Sequence, residues 1–383
     1  MKYMGSKRWM LSNGLGSLLT EHAGGAERFV DLFSGTAAVS WHVAAGTDVP
    51  VLAADLQVYS SVLARAVVGR TRELKSTQLV QQWVGLSEQR SVEDPLWAKA
   101  NRFDIDGLTQ QQVLRARKLC ADAEGPIARA YGGYYFSPAQ AIMIDSLRAE
   151  LPSREPKRSV CLASLIWAVT RCVASPGHTA QPFQPTTTAL PFIREAWLKE
   201  VASVTRDVLP TIATQSAKVR GRAVVGDATS IAEREVRAGD LVFLDPPYSA
   251  AQYSRFYHVL ETLAHGSCGT VAGEGRYPPP GERPRSLFSL LSQASVALEA
   301  LLAALGEAGC EVIMTFPQQP CSNGLSGEDI IGVARRWFEV DISSVVMRHS
   351  TLGGNNRYRA SRRASLELIM SMKPKTGIGV RRT

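Results

Sequence analysis

Four short runs of this chain are mostly apolar and lack the regular alternation of a half-exposed strand. They lie near residues 29–32, 51–54, 222–225 and 241–244. The run Leu241-Val242-Phe243-Leu244 has no polar residue, which is typical of a strand buried on both faces in a parallel sheet. Acidic or small polar residues stand at or just after the end of each run, so the pattern predicts strands that meet at one polar edge.

The C-terminal part of the chain shows a different strand pattern. A further apolar run at 311–316 predicts a fifth strand. The segments 338–347 and 364–372 alternate apolar and polar residues, as expected of an antiparallel pair with one exposed face. Together the runs predict an α/β fold with a mostly parallel sheet and an antiparallel C-terminal hairpin.

A long region with another periodicity separates the second and third predicted strands. From about residue 70 to 210, apolar residues recur at helical spacing. Clusters of charge, such as Arg115-Ala116-Arg117-Lys118, interrupt this region. We therefore expect a mainly helical insertion at 70–210, and a sheet-containing domain formed by 1–69 and 211–383.

Composition narrows the class of protein. The apolar fraction of 45% and the charged fraction of 20% are ordinary for a globular chain. The net charge of +8 favours a polyanionic partner.

The six cysteines are scattered without a CxxC pair, which indicates reduced thiols in a cytoplasmic protein and no metal site. No stretch is long and apolar enough to span a membrane, and the N-terminus lacks an apolar signal core.

Four acidic residues mark the ends of the four parallel strands. The carboxyl ends of parallel strands lie at one edge of a sheet, where ligands bind in open α/β folds. One acid in such a place is unremarkable, but four predict a binding cleft. These residues are Asp31, Asp55, Asp227 and Asp245.

The loop after the first strand suits a ligand without a pyrophosphate. It contains one glycine, Gly35, where the backbone can approach a ligand closely, and Ser34 or Thr36 is expected to cap the next helix. The GxGxxG pattern of dinucleotide sites is missing. Asp55, at the end of the second strand, suits either ribose hydroxyls or a helix cap equally well.

The fourth strand runs into Asp245-Pro246-Pro247-Tyr248. Two consecutive prolines exclude helix and sheet pairing, so the chain must turn sharply there. Alone, the motif fits a rigid turn as well as a ligand site. The other acids at the strand ends favour the site.

Several loops combine aromatic and basic residues, which suit base stacking and phosphate contact. A plain packed loop or a solvated linker explains each of them at least as well. The residues selected as nucleic-acid contacts are Tyr134, Arg255, Tyr257, Arg276, Arg283, Arg357 and Arg359.

Three motifs occur in a characteristic order, and together they carry a family resemblance. They are Lys2-Tyr3-Met4-Gly5-Ser6-Lys7, Asp31-Leu32-Phe33-Ser34-Gly35-Thr36 and Asp245-Pro246-Pro247-Tyr248, with the long insertion before the last. In this order the chain resembles Dam-like DNA adenine-N6 methyltransferases of the alpha class, as found in restriction-modification systems. The resemblance implies a Rossmann-like methyltransferase sheet and a target-recognition role for the insertion at 70–210.

The resemblance also implies a cofactor, S-adenosylmethionine, which leaves as S-adenosylhomocysteine. Asp55 would hold its ribose hydroxyls, Asp227 would lie near its adenine amine, and Phe33 would pack against it. One departure is that residues 36–38 are Thr-Ala-Ala, where the family often has a second glycine. The implied cofactor residues are Tyr3, Gly5, Lys7, Asp31, Phe33, Ser34, Gly35, Asp55, Asp227 and Asp245.

The chemistry of adenine methylation accounts for the residue types in the last motif. Asp245 and the carbonyl of Pro246 would accept the two hydrogens of an exocyclic amine, whose lone pair is otherwise delocalised into the ring. Tyr248 would stack on a base flipped out of the duplex. Methyl transfer then depends mainly on placing the amine in line with the sulfonium methyl group. Pro247 completes the rigid turn. No metal is required.

Other substrates remain open at this point. The same cleft would serve RNA adenine or cytosine-N4 in DNA, and an inactive DNA-binding module would retain the fold. A protein-glutamine methyltransferase usually has Asn where Asp245 stands, which argues against that activity. The expected partners are double-stranded DNA and a cognate restriction or defence protein.

Overall fold

A seven-stranded sheet organises the chain in the computed structural model, which describes residues 7–176, 178–348 and 364–375. Its strands are short in the parallel part and long in the C-terminal hairpin. The strands are β1 Arg28–Asp31, β2 Val51–Asp55, β3 Arg222–Val225, β4 Asp240–Leu244, β5 Glu311–Pro317, β6 Phe338–Arg348 and β7 Ala364–Pro374.

The sheet is parallel in its first five strands and antiparallel at one end. The order is β3-β2-β1-β4-β5-β7-β6, with β7 antiparallel to both β5 and β6. The order reverses between β1 and β4, which are neighbours although the helical region separates them in sequence. This topology confirms the predicted α/β fold with a mostly parallel sheet and an antiparallel C-terminal hairpin.

The apolar runs form strands because both faces of the sheet are covered. Every residue of β4 is buried. On one face, Val30, Leu52 and Val242 belong to a core that includes side chains of the helices Ala228–Glu235 and Ala294–Ala308. Burial of these side chains stabilises the sheet by about 2 kcal/mol each.

The described residues form two compact units. One contains the sheet and comprises the described residues of Gly5–Arg72, Ser216–Tyr253 and Pro284–Thr383. Seven α-helices lie within it, beside a π-helical turn at Leu11–Leu15 and a 3₁₀ turn at Leu287–Ser289. These helices are Arg8–Met10, Gly16–Ala23, Ala38–Gly46, Val58–Val68, Ala228–Glu235, Ala294–Ala308 and Gly327–Ala334.

The second unit is helical and includes Glu73–Gln215 and Ser254–Arg283. It also has a π-helical turn at Val80–Val84 and a 3₁₀ turn at Pro280–Glu282. The short helix Tyr253–Phe256 begins where the chain passes from one unit to the other. The other helices are Ser76–Leu79, Gly85–Glu93, Trp97–Asn101, Gln110–Cys120, Pro126–Tyr131, Pro138–Ala149, Lys157–Cys172, Leu190–Trp197, Val201–Thr214 and His258–His265.

The grouping of Ser254–Arg283 with the helical unit differs from the expected boundaries, which put this segment in the sheet-containing domain. Contacts far apart in sequence explain the difference. The buried Tyr131 hydroxyl lies 2.9 Å from Thr262 Oγ1, and Arg148 Nε donates to the carbonyl of Leu263 at 2.8 Å. No local pattern in the segment indicates these partners.

Candidate active site

The predicted acids meet at the carboxyl ends of the parallel strands. Asp31 and Asp55 are the last residues of β1 and β2, and Asp245 directly follows β4. Asp31 pairs with Ala53 and Phe243 in the neighbouring strands. The sheet therefore gathers these carboxyl groups at one edge, as the sequence predicts.

The turn after β1 ties two of the strands together. Ser34 N donates to the carbonyl of Ala54 at 3.0 Å, and Gly35 N donates to Asp55 Oδ2 at 2.8 Å. Gly35 has a positive φ of 49°, a conformation that glycine adopts at little cost. Ser34 is buried, and its Oγ lacks a hydrogen-bond partner among the described residues. A buried hydroxyl without a partner indicates a place for a polar ligand atom.

The expected cap of the helix Ala38–Gly46 is wrong. Neither Ser34 nor Thr36 caps it. The N-cap is Ala37, with φ 61° and ψ 17° and no side-chain hydrogen bond. A left-handed alanine costs about 1 kcal/mol more than a glycine would. The strained residue falls within 36–38, where the related family often has its second glycine.

Asp31 is a buried carboxyl group at the end of β1, on the same edge of the sheet. Its Oδ2 accepts a 2.5 Å hydrogen bond from Ser40 Oγ, and its Oδ1 accepts one from Phe33 N at 3.3 Å. Burial, with a smaller contribution from the nearby carboxylates of Asp55 and Asp245, raises the pKa of Asp31 to about 7, although the hydrogen bonds from Ser40 and Phe33 oppose the shift. Asp31 is therefore partly protonated near neutral pH.

Asp55 and Asp227 fix the backbone on the β2–β3 side. Asp55 Oδ1 accepts from Gln57 N at 2.9 Å, and its carbonyl accepts from Gly226 N at 3.0 Å. Asp227 caps the helix Ala228–Glu235, because its Oδ1 accepts from the amides of Thr229 and Ser230. Capping uses one carboxylate oxygen, so the other oxygen of Asp227 is left for a further contact.

Asp245 is held by groups from two distant parts of the chain. Its Oδ1 lies 3.0 Å from Lys7 Nζ and accepts from Thr315 Oγ1 at 3.1 Å. Its Oδ2 has no hydrogen-bond partner among the residues that the structure describes. Burial raises the pKa of Asp245 to about 6, although Lys7 opposes the shift. One oxygen is thus fixed and the other is available to a donor.

Lys7 lies between two carboxyl groups, the buried Glu367 and the half-buried Asp245. Its Nζ donates to Glu367 Oε1 on β7 at 2.5 Å as well as to Asp245. Burial works against the charge, but Asp245 and Glu367 together raise the pKa of Lys7 above its ordinary value. The family resemblance implies a cofactor contact for Lys7, and in the structure its ammonium group lies against Glu367 and Asp245.

Tyr248 and Phe33 supply aromatic surface in the sheet unit. Tyr248 is half-buried, and its ring meets Phe316 edge to face with centroids 6.4 Å apart. Phe33 meets Phe288 in the same way at 5.2 Å. Burial raises the pKa of Tyr248 to about 12, so its phenol stays neutral. Both rings keep part of their surface exposed.

Asn323, which sequence reasoning did not select, holds the turn Asp245-Pro246-Pro247-Tyr248, called the D-P-P-Y turn below. It is fully buried, and its Nδ2 donates to the carbonyls of Pro247 and Phe288 at 3.0 Å each. Its Oδ1 accepts from Leu325 N at 3.3 Å. Asparagine is common in loops for other reasons, so no local signal distinguishes this one.

Replacing Asn323 by Ala is expected to destabilise the protein by about 2–4 kcal/mol, because buried carbonyls and an amide lose their partners. The D-P-P-Y turn should also loosen, with a fall in kcat of about tenfold or more. Urea denaturation measures the first effect, and the rate of the catalysed reaction measures the second. Asn323→Asp is the matched variant: it keeps the acceptor but cannot donate to the carbonyls, so its effects should be nearly as large. An Asp variant like the wild type would contradict this role.

Two clusters of arginine and tyrosine lie in the helical unit. The guanidinium groups of Arg117 and Arg276 lie 4.2 and 4.5 Å from the centre of the Tyr134 ring. Arg276 is fixed there, since its Nε donates to the carbonyl of Ala130 at 2.8 Å. Arg117, on the helix Gln110–Cys120, was not selected individually from the sequence.

The second cluster is centred on Tyr277. Arg255 and Arg283 lie 4.8 and 5.5 Å from the centre of its ring, and Arg255 is exposed. The selection of Tyr257 as a nucleic-acid contact is corrected, because its side chain is only 1% exposed and presents no face for stacking. Tyr3, Gly5, Arg357 and Arg359 lie outside the described residues.

The described residues provide neither a metal site nor a membrane-spanning helix. They contain no group of three or more His, Cys, Asp or Glu side chains placed to hold a metal ion. No helix among them has the length and apolar character needed to cross a membrane. All six cysteines are free thiols, four of them buried.

Comparison with known families decides the class of protein. The chain matches the model of the D12 class N6 adenine-specific DNA methyltransferases over residues 3–114 and 160–274, more than half of its 383 residues. The chain belongs to this family. The matched residues include the strand-end acids and the D-P-P-Y turn, and they end before β5.

Three relatives have names that describe modification enzymes. Modification methylase LlaI of Lactococcus lactis subsp. lactis is 24% identical over 304 residues, 78% of this chain and 43% of that protein. Type II methyltransferase M.NlaIII of Neisseria lactamica is 24% identical over 268 residues, 69% of each chain. Modification methylase StsI of Streptococcus sanguinis is 22% identical over 344 residues, 89% of this chain and 47% of that protein. The chain thus spans less than half the length of two of these relatives.

Proposed function

We propose that this chain transfers a methyl group to the N6 amine of adenine in a specific sequence of double-stranded DNA. The observation that carries the proposal is the D-P-P-Y turn, in which Asp245 has one oxygen fixed by Lys7 and Thr315 and the other available. Membership of the D12 class supports adenine and DNA as the targets. The names of the relatives support a role in restriction-modification, with a cognate restriction or defence protein as partner.

The exocyclic amine of adenine is a poor nucleophile, because its lone pair is delocalised into the ring. Asp245 Oδ2 would accept one amine hydrogen. The carbonyl of Pro246, which accepts no hydrogen bond from the described residues, would accept the other. Two acceptors in these positions turn the lone pair toward the methyl donor, and their fixed placement lowers the barrier.

The residues at the strand ends fit S-adenosylmethionine as the donor. The buried Ser34 Oγ lacks a partner among the described residues, and the left-handed Gly35 leaves room for close approach. We propose that Asp55 binds the ribose hydroxyls, Asp227 the adenine amine, and Phe33 an apolar face. When bound, this donor supplies a methyl group activated by a sulfonium sulfur. Its product is S-adenosylhomocysteine.

DNA binding is proposed for the exposed cations of the helical unit. Arginines beside tyrosines suit phosphate contact and base stacking, and Arg255 beside Tyr277 has the exposure this requires. The net charge of +8 supports a polyanionic substrate. The target base must leave the duplex before its amine can reach Asp245, and Tyr248 would stack on it. Free cysteines support a reducing, cytoplasmic location.

The rate of transfer is expected to fall in acid because Asp245 must be ionised to accept a hydrogen. Its pKa is about 6, so kcat at saturating DNA and donor should fall as the pH drops through about 6. Asp31, with a pKa near 7, lies at the proposed donor site and should affect KM for the donor instead. Initial rates between about pH 5 and pH 8 measure both. A kcat that stays constant over this range would contradict the role of Asp245.

A transfer assay with a tritiated methyl donor tests the proposal directly. Double-stranded DNA should be labelled, and RNA of the same sequence should not. A chain that binds the donor but labels neither polymer would overturn the proposed function. Label in RNA alone would reassign the substrate class.

A further inference from the structure

Glu367 is a buried carboxyl group beside the proposed catalytic turn. It lies on β7, where it pairs with Pro317 of β5 and Val345 of β6, and its side chain is 1% exposed. Its position is beyond the residues matched by the family model, which end at 274. The antiparallel strand thus brings in an acid that none of the motifs contains.

The two carboxylates share one cation unequally. Lys7 Nζ lies 2.5 Å from Glu367 Oε1 and 3.0 Å from Asp245 Oδ1. The shorter, charge-assisted bond to Glu367 is the stronger one, so Glu367 is the main anchor of the ammonium group. Asp245 receives the longer bond, and Thr315 completes the contacts of its Oδ1.

We propose that Glu367 is a positioning residue, which anchors Lys7 and thereby keeps Asp245 basic enough to accept a hydrogen of the substrate amine. The inference rests on the proposed function. An ammonium group bound only to Asp245 would stabilise the negative charge of that carboxylate more strongly. The carboxylate would then be less basic and a weaker hydrogen-bond acceptor. A second anion on the other side of Lys7 limits this stabilisation of Asp245.

Other groups also face Asp245 and bear on its titration. Lys7 and Glu367 act on it most directly, and Thr315 donates from β5. Tyr248 interacts with it but stays neutral, since its own pKa is about 12. Asp31 on β1 interacts with it as well. Of these, Glu367 raises the pKa of Asp245, and its removal must shift that pKa downward.

The test is the pH profile of kcat for Glu367→Gln, at saturating DNA and S-adenosylmethionine. The amide is isosteric and still accepts a hydrogen bond from Lys7. We expect kcat on the pH-independent plateau of the profile to fall about tenfold. The acid limb, where kcat falls with decreasing pH, should move to lower pH. The affinity for S-adenosylmethionine should stay within about threefold of the wild-type affinity. Glu367→Asp, which keeps the charge but shortens the reach, should lower kcat with its acid limb at the wild-type position.

Asp240→Asn is the matched control, because Asp240 is a buried, ion-paired acid at the opposite end of β4. It should lose stability without moving the acid limb. An acid limb of Glu367→Gln that coincides with the wild type overturns the inference, whatever the change in kcat. If Glu367→Gln does not bind the donor, a wild-type kcat in Glu367→Asp overturns it. Wild-type enzyme that labels no DNA would instead refute the proposed function.

Discussion

Replacing Asp245 by Ala is expected to reduce methyl transfer by about 10³-fold or more, while donor binding changes little. The carboxylate oxygen that would accept an amine hydrogen is lost, and loss of a positioned proton acceptor typically costs two to four orders of magnitude, about 10²–10⁴. Single-turnover rates with excess enzyme measure the loss, and calorimetry measures donor binding.

The fold should survive this substitution because Lys7 retains its 2.5 Å bond to Glu367. A buried cation with one remaining anion is not left uncompensated. Thr315→Val serves as the comparison, since it removes one hydrogen bond to Oδ1 and leaves Oδ2 intact; its rate should fall less than about tenfold. Turnover by Asp245→Ala within tenfold of the wild type would remove Asp245 from its proposed role.

Replacing Lys7 by Met is expected to destabilise the protein by about 3–5 kcal/mol at neutral pH, because the buried Glu367 and the half-buried Asp245 lose their common cation. The ammonium group is 5% exposed, so water cannot replace it as a partner. Urea denaturation at several pH values measures the effect. The surface variant Lys199→Met is the control: its ion pair with Glu195 is 3.8 Å long and exposed, so the change should stay within about 0.5 kcal/mol.

The loss in Lys7→Met should depend on pH in a definite direction. Asp245 in the folded protein has a pKa of about 6, above its ordinary value of 3.8, and Lys7 opposes that shift. Without Lys7 the pKa rises further. A raised carboxyl pKa gives stability that is present below the unfolded pKa and lost as pH rises through the folded one. The variant should therefore regain stability on acidification from neutral pH, and a constant deficit would contradict the buried ion cluster.

The fold could be predicted because its signals are local. The apolar run 241–244 indicates a buried strand from four residues alone, and the alternation in 338–347 and 364–372 indicates the antiparallel pair. The structure confirms both. Asp31 and Asp245 meet at one edge because parallel strands align their carboxyl ends.

The finer arrangement of the site depends on contacts between distant parts of the chain. Lys7 and Glu367 are 360 residues apart, and no spacing rule joins them. Asn323 looks like any loop asparagine until the fold places it under Pro247. Asp227 was expected to lie near the adenine amine of the methyl donor, yet one of its carboxylate oxygens caps a helix. Its role at the donor, like those of Asp55 and Phe33, stays a prediction.

The identity of the methylated base decides whether this chain acts on the N6 amine of adenine in DNA. That activity is tested most directly by digesting enzyme-treated double-stranded DNA to nucleosides and identifying the methylated product by mass spectrometry. We expect N6-methyladenine in DNA treated with the wild type and almost none in DNA treated with Asp245→Ala. N4-methylcytosine as the product, or N6-methyladenine formed equally by both proteins, would contradict this expectation.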